Sequence, residues 1–184
     1  SGSLDPDAFP TAAETAALAL IPDVIRPTCV RGRGVNDAVD AGFTGTIYLN
    51  IGTQGNLVPF PVTPPEPTAA LTCTPSVGAD RVHFLWYQFA GGNAVNALDY
   101  LSTQAARHEA KDGDCAADTK ARESWSNERL GAGLVVCFRA APFDGSPWVD
   151  FTFDDAHMLA LATRDDRDFD TLYEWFQDLS TFLP

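Results

Sequence analysis

Four cysteines stand at Cys29, Cys73, Cys115 and Cys137, separated by 44, 42 and 22 residues. What they do constrains the chain more than any other feature. A structural zinc site needs ligands in close pairs such as C-x2-C, and no such pair exists here; the three histidines are scattered. C-x-x-C redox chemistry fails for the same reason. A cysteine nucleophile needs a histidine base and an orienting third group, and nothing near any of the four supplies them. Two disulfides remain, and four cysteines allow three pairings. Cys29 follows a first helix and Cys73 lies in the next clear core strand. Cys115 lies in the loop after a second helix and Cys137 in the strand that follows. Sequential pairing, Cys29–Cys73 and Cys115–Cys137, is therefore expected, with one staple in each half of the chain. Disulfides persist in oxidising compartments, so the expected location is outside the cytoplasm.

The chain has 184 residues and 45% hydrophobic residues, among them 12 Phe and 4 Trp. A chain of that length buries about 70% of its unfolded surface, so its core can be self-sufficient. Ser1-Gly2-Ser3 reads as a leader left by cloning, and 4–184 as one domain. The net charge is −13. Such a surface repels phosphate backbones, which argues against a nucleic-acid partner. No apolar run approaches the roughly 18 residues of a membrane helix, so any membrane attachment must come from a segment not included here.

Periodicity predicts an α+β chain with an antiparallel sheet and amphipathic helices packed on it. Thr11-Ala-Ala-Glu14 is a capping box that opens a helix bearing Ala13, Ala17, Leu18 and Ile21, closed by Pro22 and Pro27. "AALTCTP" and "RVHFLWYQF" read as strands. In the second, Val82, Phe84 and Trp86 alternate with His83, Leu85 and Tyr87, so both faces are apolar, as in a central strand. Asn93 caps a helix whose stripe is Ala94, Leu98, Leu101 and Ala105. A polar loop holds Cys115. Strands "GLVVCFRA", "WVDFTFD" and "HMLALAT" follow. Asp168 caps a final helix with Phe169, Leu172, Tyr173, Phe176 and Leu179 inward and Trp175 beside them. The strand–loop–helix pattern from His83 echoes the one from His157, which would make two pseudo-repeated β…βα halves of one sheet.

Residues 30–68 form a variable, proline-rich insertion. "FTGTIYLNIG" reads as a strand within a hairpin. "NLVPFPVTPPEP" cannot be an interior strand, because proline has no amide proton to give. Among residues able to carry chemistry, His83 suits a hydrogen-bonded core position, His108 a helix C-terminus and His157 a turn. The acid clusters "KDGD" and "DDRDFD" lack the calcium-loop pattern and suit turns and caps. No catalytic motif is recognised, and no metal or cofactor is expected.

The order of "LALIPDVIRPTC", "ALTCTPSVGADRVHFLWYQF", a helix, "GDC", "W…GLVVCF" and "WVDFTFDDAHMLALATRDDRDFDTLYEWF" resembles the extracellular C-terminal domain of actinobacterial, including mycobacterial, receptor-type serine/threonine kinases. The resemblance covers most of 15–180 and is weakest over 30–68. Arg outnumbers Lys ten to two, consistent with a GC-rich genome. It implies a non-catalytic extracellular sensor domain, joined through one membrane helix to a cytoplasmic kinase, with an unknown ligand and no catalytic residue in this chain. Two other classes stay open: a free-standing secreted or lipid-anchored binding protein, and a cell-wall hydrolase with unrecognised carboxylates. Signalling through one membrane helix favours a homodimer, because pairing raises the local concentration of attached kinases. Its candidate surface is Phe43, Ile47, Tyr48, Leu49, Leu57 and Phe60; the alternative is that these side chains pack on their own domain.

Overall fold

The structure is a computed structural model. It describes residues 8–32, 46–50, 57–61, 67–77, 80–90, 101–102, 105–106, 108–128, 130–140, 145–164 and 166–182. Among the described residues, the full helices α1 (Ala12–Leu18) and α2 (Phe169–Phe182) accompany eleven strands. These are β1 (Cys29–Arg31), β2 (Thr46–Asn50), β3 (Leu57–Pro61), β4 (Ala69–Cys73), β5 (Ser76–Val77), β6 (Asp80–Gln88), β7 (Lys111–Asp112), β8 (Ala121–Asn127), β9 (Gly131–Ala140), β10 (Ser146–Phe153) and β11 (Met158–Arg164). The main sheet runs β1-β4-β6-β11-β10-β9-β8-β7, with short β5 hydrogen-bonded to the start of β6. Every neighbouring pair is antiparallel except β7 with β8. The chain is thus α+β, as its periodicity implies.

The centre of the sheet is buried on both sides. All residues of β10 and β11 are buried, which explains why their sequences read as near-continuous apolar runs rather than clean alternations. One face carries Phe84, Trp86, Val135, Val149, Phe151, Phe153 and Ala160, packed under Phe169, Leu172, Phe176 and Leu179 of α2. Aromatic edges and faces interlock there: Phe176 lies 4.9 Å from Phe151 and 4.6 Å from Trp125, centroid to centroid. The other face carries Tyr87, Val136, Phe138, Trp148, Leu159 and Leu161, with Leu101 and Ala105 packed on it. Residues 101, 102, 105 and 106 are helical, in agreement with the expected second helix, and Leu101 and Ala105 lie on its predicted stripe.

The two expected halves meet where β6 pairs with β11. A rotation that superposes neighbouring antiparallel strands keeps the faces of their sheet. Here α2 covers one face while Leu101 and Ala105 cover the other. The repeat that the patterning suggested is therefore not shown.

Two further differences have local causes. The first helix ends at Leu18, not at Ile21. Pro22 disfavours a helical residue before it, and the Arg26 guanidinium takes the freed carbonyls, donating from Nε to Leu18 (2.8 Å) and from Nη2 to Ile21 (3.0 Å). β8, a full strand, occupies what the sequence presents as polar loop. Its residues Arg122, Glu123, Ser124 and Ser126 hide the alternation, because only the two-residue β7 lies beyond it and its outer surface is wet. Its inward residues are few but specific: Trp125 packs on Phe153 at 4.3 Å, and the Glu123 carboxylate accepts a 2.6 Å hydrogen bond from the Tyr173 hydroxyl of α2. That bond, with burial as the larger cause, pushes the Tyr173 hydroxyl well above its ordinary value.

Gly133 makes the Trp125 arrangement possible. The residue sits opposite Trp125 in the β8–β9 ladder. The indole reaches across it and donates from Nε1 to the Thr152 carbonyl of β10 at 3.1 Å. A Cβ at 133 would stand 1.8 Å from that carbonyl oxygen and 3.0 Å from the indole nitrogen. Backbone cannot yield to such an overlap without parting the strands. Gly133→Ala is expected to lower unfolding stability by about 3 kcal/mol or more, measured by urea denaturation; a loss under about 1 kcal/mol would show that the strands separate more easily than this packing allows.

Candidate functional site

The cysteines form the bonds Cys29–Cys73 and Cys115–Cys137, so the sequential pairing holds. Both are buried. The first is a cross-strand bond between residues directly opposite each other in β1 and β4. The second ties the loop before β8 to β9, two strands in from the far edge. Each staple therefore lies near one margin of the sheet. Two such bonds, with no free thiol, suggest folding in an oxidising, extracellular or periplasmic environment.

Beside the first bond lies a cleft of about 430 Å3 between the 22–28 segment, the residues after β4 and the second half of α2. Pro22, Ile25, Pro75 and Leu179 give it apolar walls, Trp175 an aromatic one, and Asp178 a carboxylate. Sequence neighbours of the disulfide build two sides of it. Thr28, next to Cys29, donates its hydroxyl to the Ile25 carbonyl at 2.7 Å and accepts the Thr74 amide at 3.2 Å. Trp175 is held edge-on to Phe84 at 5.5 Å. Val24, at the mouth, is 71% exposed. The size and the apolar lining with a single carboxylate match the usual character of a small-ligand site.

A second feature is a carboxyl in the core. Asp150, in the middle of β10, is 0% exposed, and among the described residues neither of its oxygens has a hydrogen-bond partner. Burial alone pushes its pKa well above the usual carboxylate range. Glu14 is the contrasting buried acid. The Arg31 guanidinium, first, and hydrogen bonds from Thr11 hold it below its ordinary value, against its burial. Its carboxylate closes the capping box of α1 and bridges to β1 through Arg31. The capping box is legible in the sequence; the ion pair to a residue 17 positions away is not.

Among the interface residues expected from sequence, Phe43 lies outside the described residues. Ile47, Tyr48 and Leu49 fall in β2, Leu57 and Phe60 in β3, and these strands pair as a separate two-stranded sheet. The register sets Ile47 opposite Phe60, Asn50 opposite Leu57 and Tyr48 opposite Pro59. Prolines 59 and 61, two apart, put both missing donors on one edge of β3, so the other edge can still pair.

The histidines do not converge. His83 is half-buried in β6, His108 stacks on Phe138 at 4.0 Å, and His157 takes a left-handed turn with φ of 51°. The acid clusters serve local structure: Asp114 bonds the Ala116 amide, Asp166 pairs with Arg164, and Asp168 accepts the Thr171 amide at 3.0 Å as the cap of α2. Among the described residues, no group of three His, Cys, Asp or Glu could hold a metal ion, and no helix is long and apolar enough to cross a membrane. Comparison with known proteins found no matching family model, no similar curated protein and no similar solved structure.

The two staples close loops of different length, which makes their contributions testable. Replacing Cys29 and Cys73 by Ala reopens a 44-residue loop, and replacing Cys115 and Cys137 a 22-residue one. The expected losses are about 4 and about 3 kcal/mol from denatured-chain entropy, read by guanidinium unfolding of each double variant. A much larger loss at the shorter loop would show that local packing, not loop closure, sets the ranking.

Proposed function

We propose that this chain is a non-catalytic sensor domain that works outside the cytoplasm, attached to a receptor-type serine/threonine kinase through a membrane segment not included here. The observation that carries the extracytoplasmic part is the pair of buried disulfides, which accounts for all four cysteines. The kinase connection rests on the resemblance of the cysteine, tryptophan and strand–helix order alone. On this reading the disulfide-braced cleft holding Trp175 and Asp178 is the ligand site. The alternative is a free-standing secreted or lipid-anchored binding protein with the same fold. A hydrolase is less supported: the one fully buried carboxyl among the described residues, Asp150, lies on β10, and the cleft is lined by a single acid.

The test uses protein recovered from its native cells with thiols blocked at lysis. Non-reducing peptide mapping is expected to return both bonds, and the coding region upstream is expected to encode a kinase and one membrane helix. Free thiols in all four peptides would overturn the extracytoplasmic placement. A signal peptide directly upstream would overturn the kinase connection and leave the binding-protein alternative.

We further propose that the domain pairs with a second copy through the β2–β3 hairpin. In support, the hairpin pairs only with itself among the described residues and is rich in apolar side chains, in a chain whose charge of −13 opposes association elsewhere. Sedimentation equilibrium from micromolar to millimolar concentration is expected to show a weak dimer that Tyr48→Asp abolishes. A strict monomer throughout would remove constitutive pairing; a dimer indifferent to Tyr48→Asp would place the contact elsewhere.

A further inference from the structure

β10 carries Ser146, Trp148, Asp150 and Thr152 on the sheet face that Leu101 and Ala105 help to cover, and all four are at most 3% exposed. Thr152 is satisfied: its hydroxyl accepts the Leu134 amide at 3.1 Å and donates to Asp154 at 3.1 Å. Asp150 is not. Its flanking residues in the ladders are Val136 on β9 and Leu161 on β11, both 0% exposed. Among the described residues an ionised carboxylate in that position has neither a counter-charge nor a donor, and the cost of such burial favours the group keeping its proton instead.

Among the described residues, the ionisable groups that face it are few. β9 presents Leu134, Val136 and Phe138, and β11 presents Leu159, Leu161 and Thr163, none of which titrates. One strand further out, β6 presents His83 and Tyr87, and β8 presents Arg122, whose Nε donates to Asp112 at 2.5 Å. The covering residues add His108, stacked on Phe138. None of these hydrogen-bonds to Asp150.

We propose that Asp150 makes the fold proton-dependent: the sheet takes up this side chain as the neutral acid, and loss of its proton weakens the packing of Leu101 and Ala105 on that face. This is a pH-responsive device in the middle of the sheet. It needs no separate ligand and does not depend on attachment to a kinase.

The sign follows from burial. A raised carboxyl pKa in the folded state gives stability that is fully present below the ordinary carboxylate range and is lost as pH rises toward the folded value. Within that window the folding constant falls about tenfold per pH unit. Glu14, lowered chiefly by Arg31, and Asp168, lowered chiefly by the Thr171 hydroxyl, act in the opposite sense. Their stabilisation is lost as pH falls through their folded values, below the window, and is common to wild type and variant.

Urea unfolding of the wild type and of Asp150→Asn, from pH 4 to pH 8 at constant ionic strength, tests this. The ratio of the wild-type folding constant to that of the variant is expected to drop about tenfold per unit over the lower part of that range. Amide exchange at Leu101 and Ala105, corrected for intrinsic rates, is expected to speed up with pH in the wild type and not in Asp150→Asn. A ratio constant across the range overturns the proposal. Should Asp150→Asn fail to fold, carbon-detected NMR titration of the Asp150 carboxyl in the wild type decides: a midpoint well above the usual range supports the proposal, and one within it overturns it.

Discussion

The four strands β6, β11, β10 and β9 are covered on both faces, and most of the structure answers to that double burial. A strand with one wet face can send its polar side chains outward on every second residue. Here every second residue enters a different core. α2 supplies one cover, with Phe169, Leu172, Phe176 and Leu179 set on Phe151, Phe153 and their neighbours. Leu101 and Ala105 contribute to the other. Each large side chain so buried contributes about 1.5–3 kcal/mol, and the two covers depend on one another because they grip the same strands. Asp150 is costly for the same reason: its carboxyl would be harmless on a one-sided sheet.

Double burial also explains where the disulfides lie. The centre of the sheet is held by paired ladders and two layers of apolar contact. The margins have less. β1 has three residues and β7 has two, too short to be secured by their own hydrogen bonds. Cys29–Cys73 fastens the first margin, and Cys115–Cys137 fastens the loop that leads into β8 near the second. Glu14 and Arg31 add an ion pair from α1 to β1 at the first margin. The cleft beside Trp175 sits against this fastened edge, so its walls are positioned by a covalent bond at one end and by the aromatic contact with Phe84 at the other.

Much of this was legible in the chain and some was not. Capping boxes, proline stops and apolar stripes are local chemistry, so α1, α2 and the central strands could be read from neighbours a few residues apart. The disulfide pairing was legible because the cysteines fall one per element in chain order. β8 was hidden because its outer face is polar and its inner face shows only Ala121, Glu123 and Trp125, a pattern no period-2 apolar rule recognises. The cleft was hidden because its walls come from residues 22–28, 75–76 and 175–179, distant in sequence.

The sequence by itself determined the apolar stripes of α1 and α2 and the central strands, since periodicity and turn chemistry act over a few residues. It also determined that the cysteines end as two staples, since no other use of them fits their spacing. Only the tertiary structure decided the order of the strands, because antiparallel neighbours are chosen by long-range burial and not by local preference. It alone placed α2 and the helical residues Leu101 and Ala105 on opposite faces, where the sequence pattern suggested a repeat. And it alone decided the surroundings of Asp150: nothing local in "WVDFTFD" shows that the face its carboxyl enters is covered.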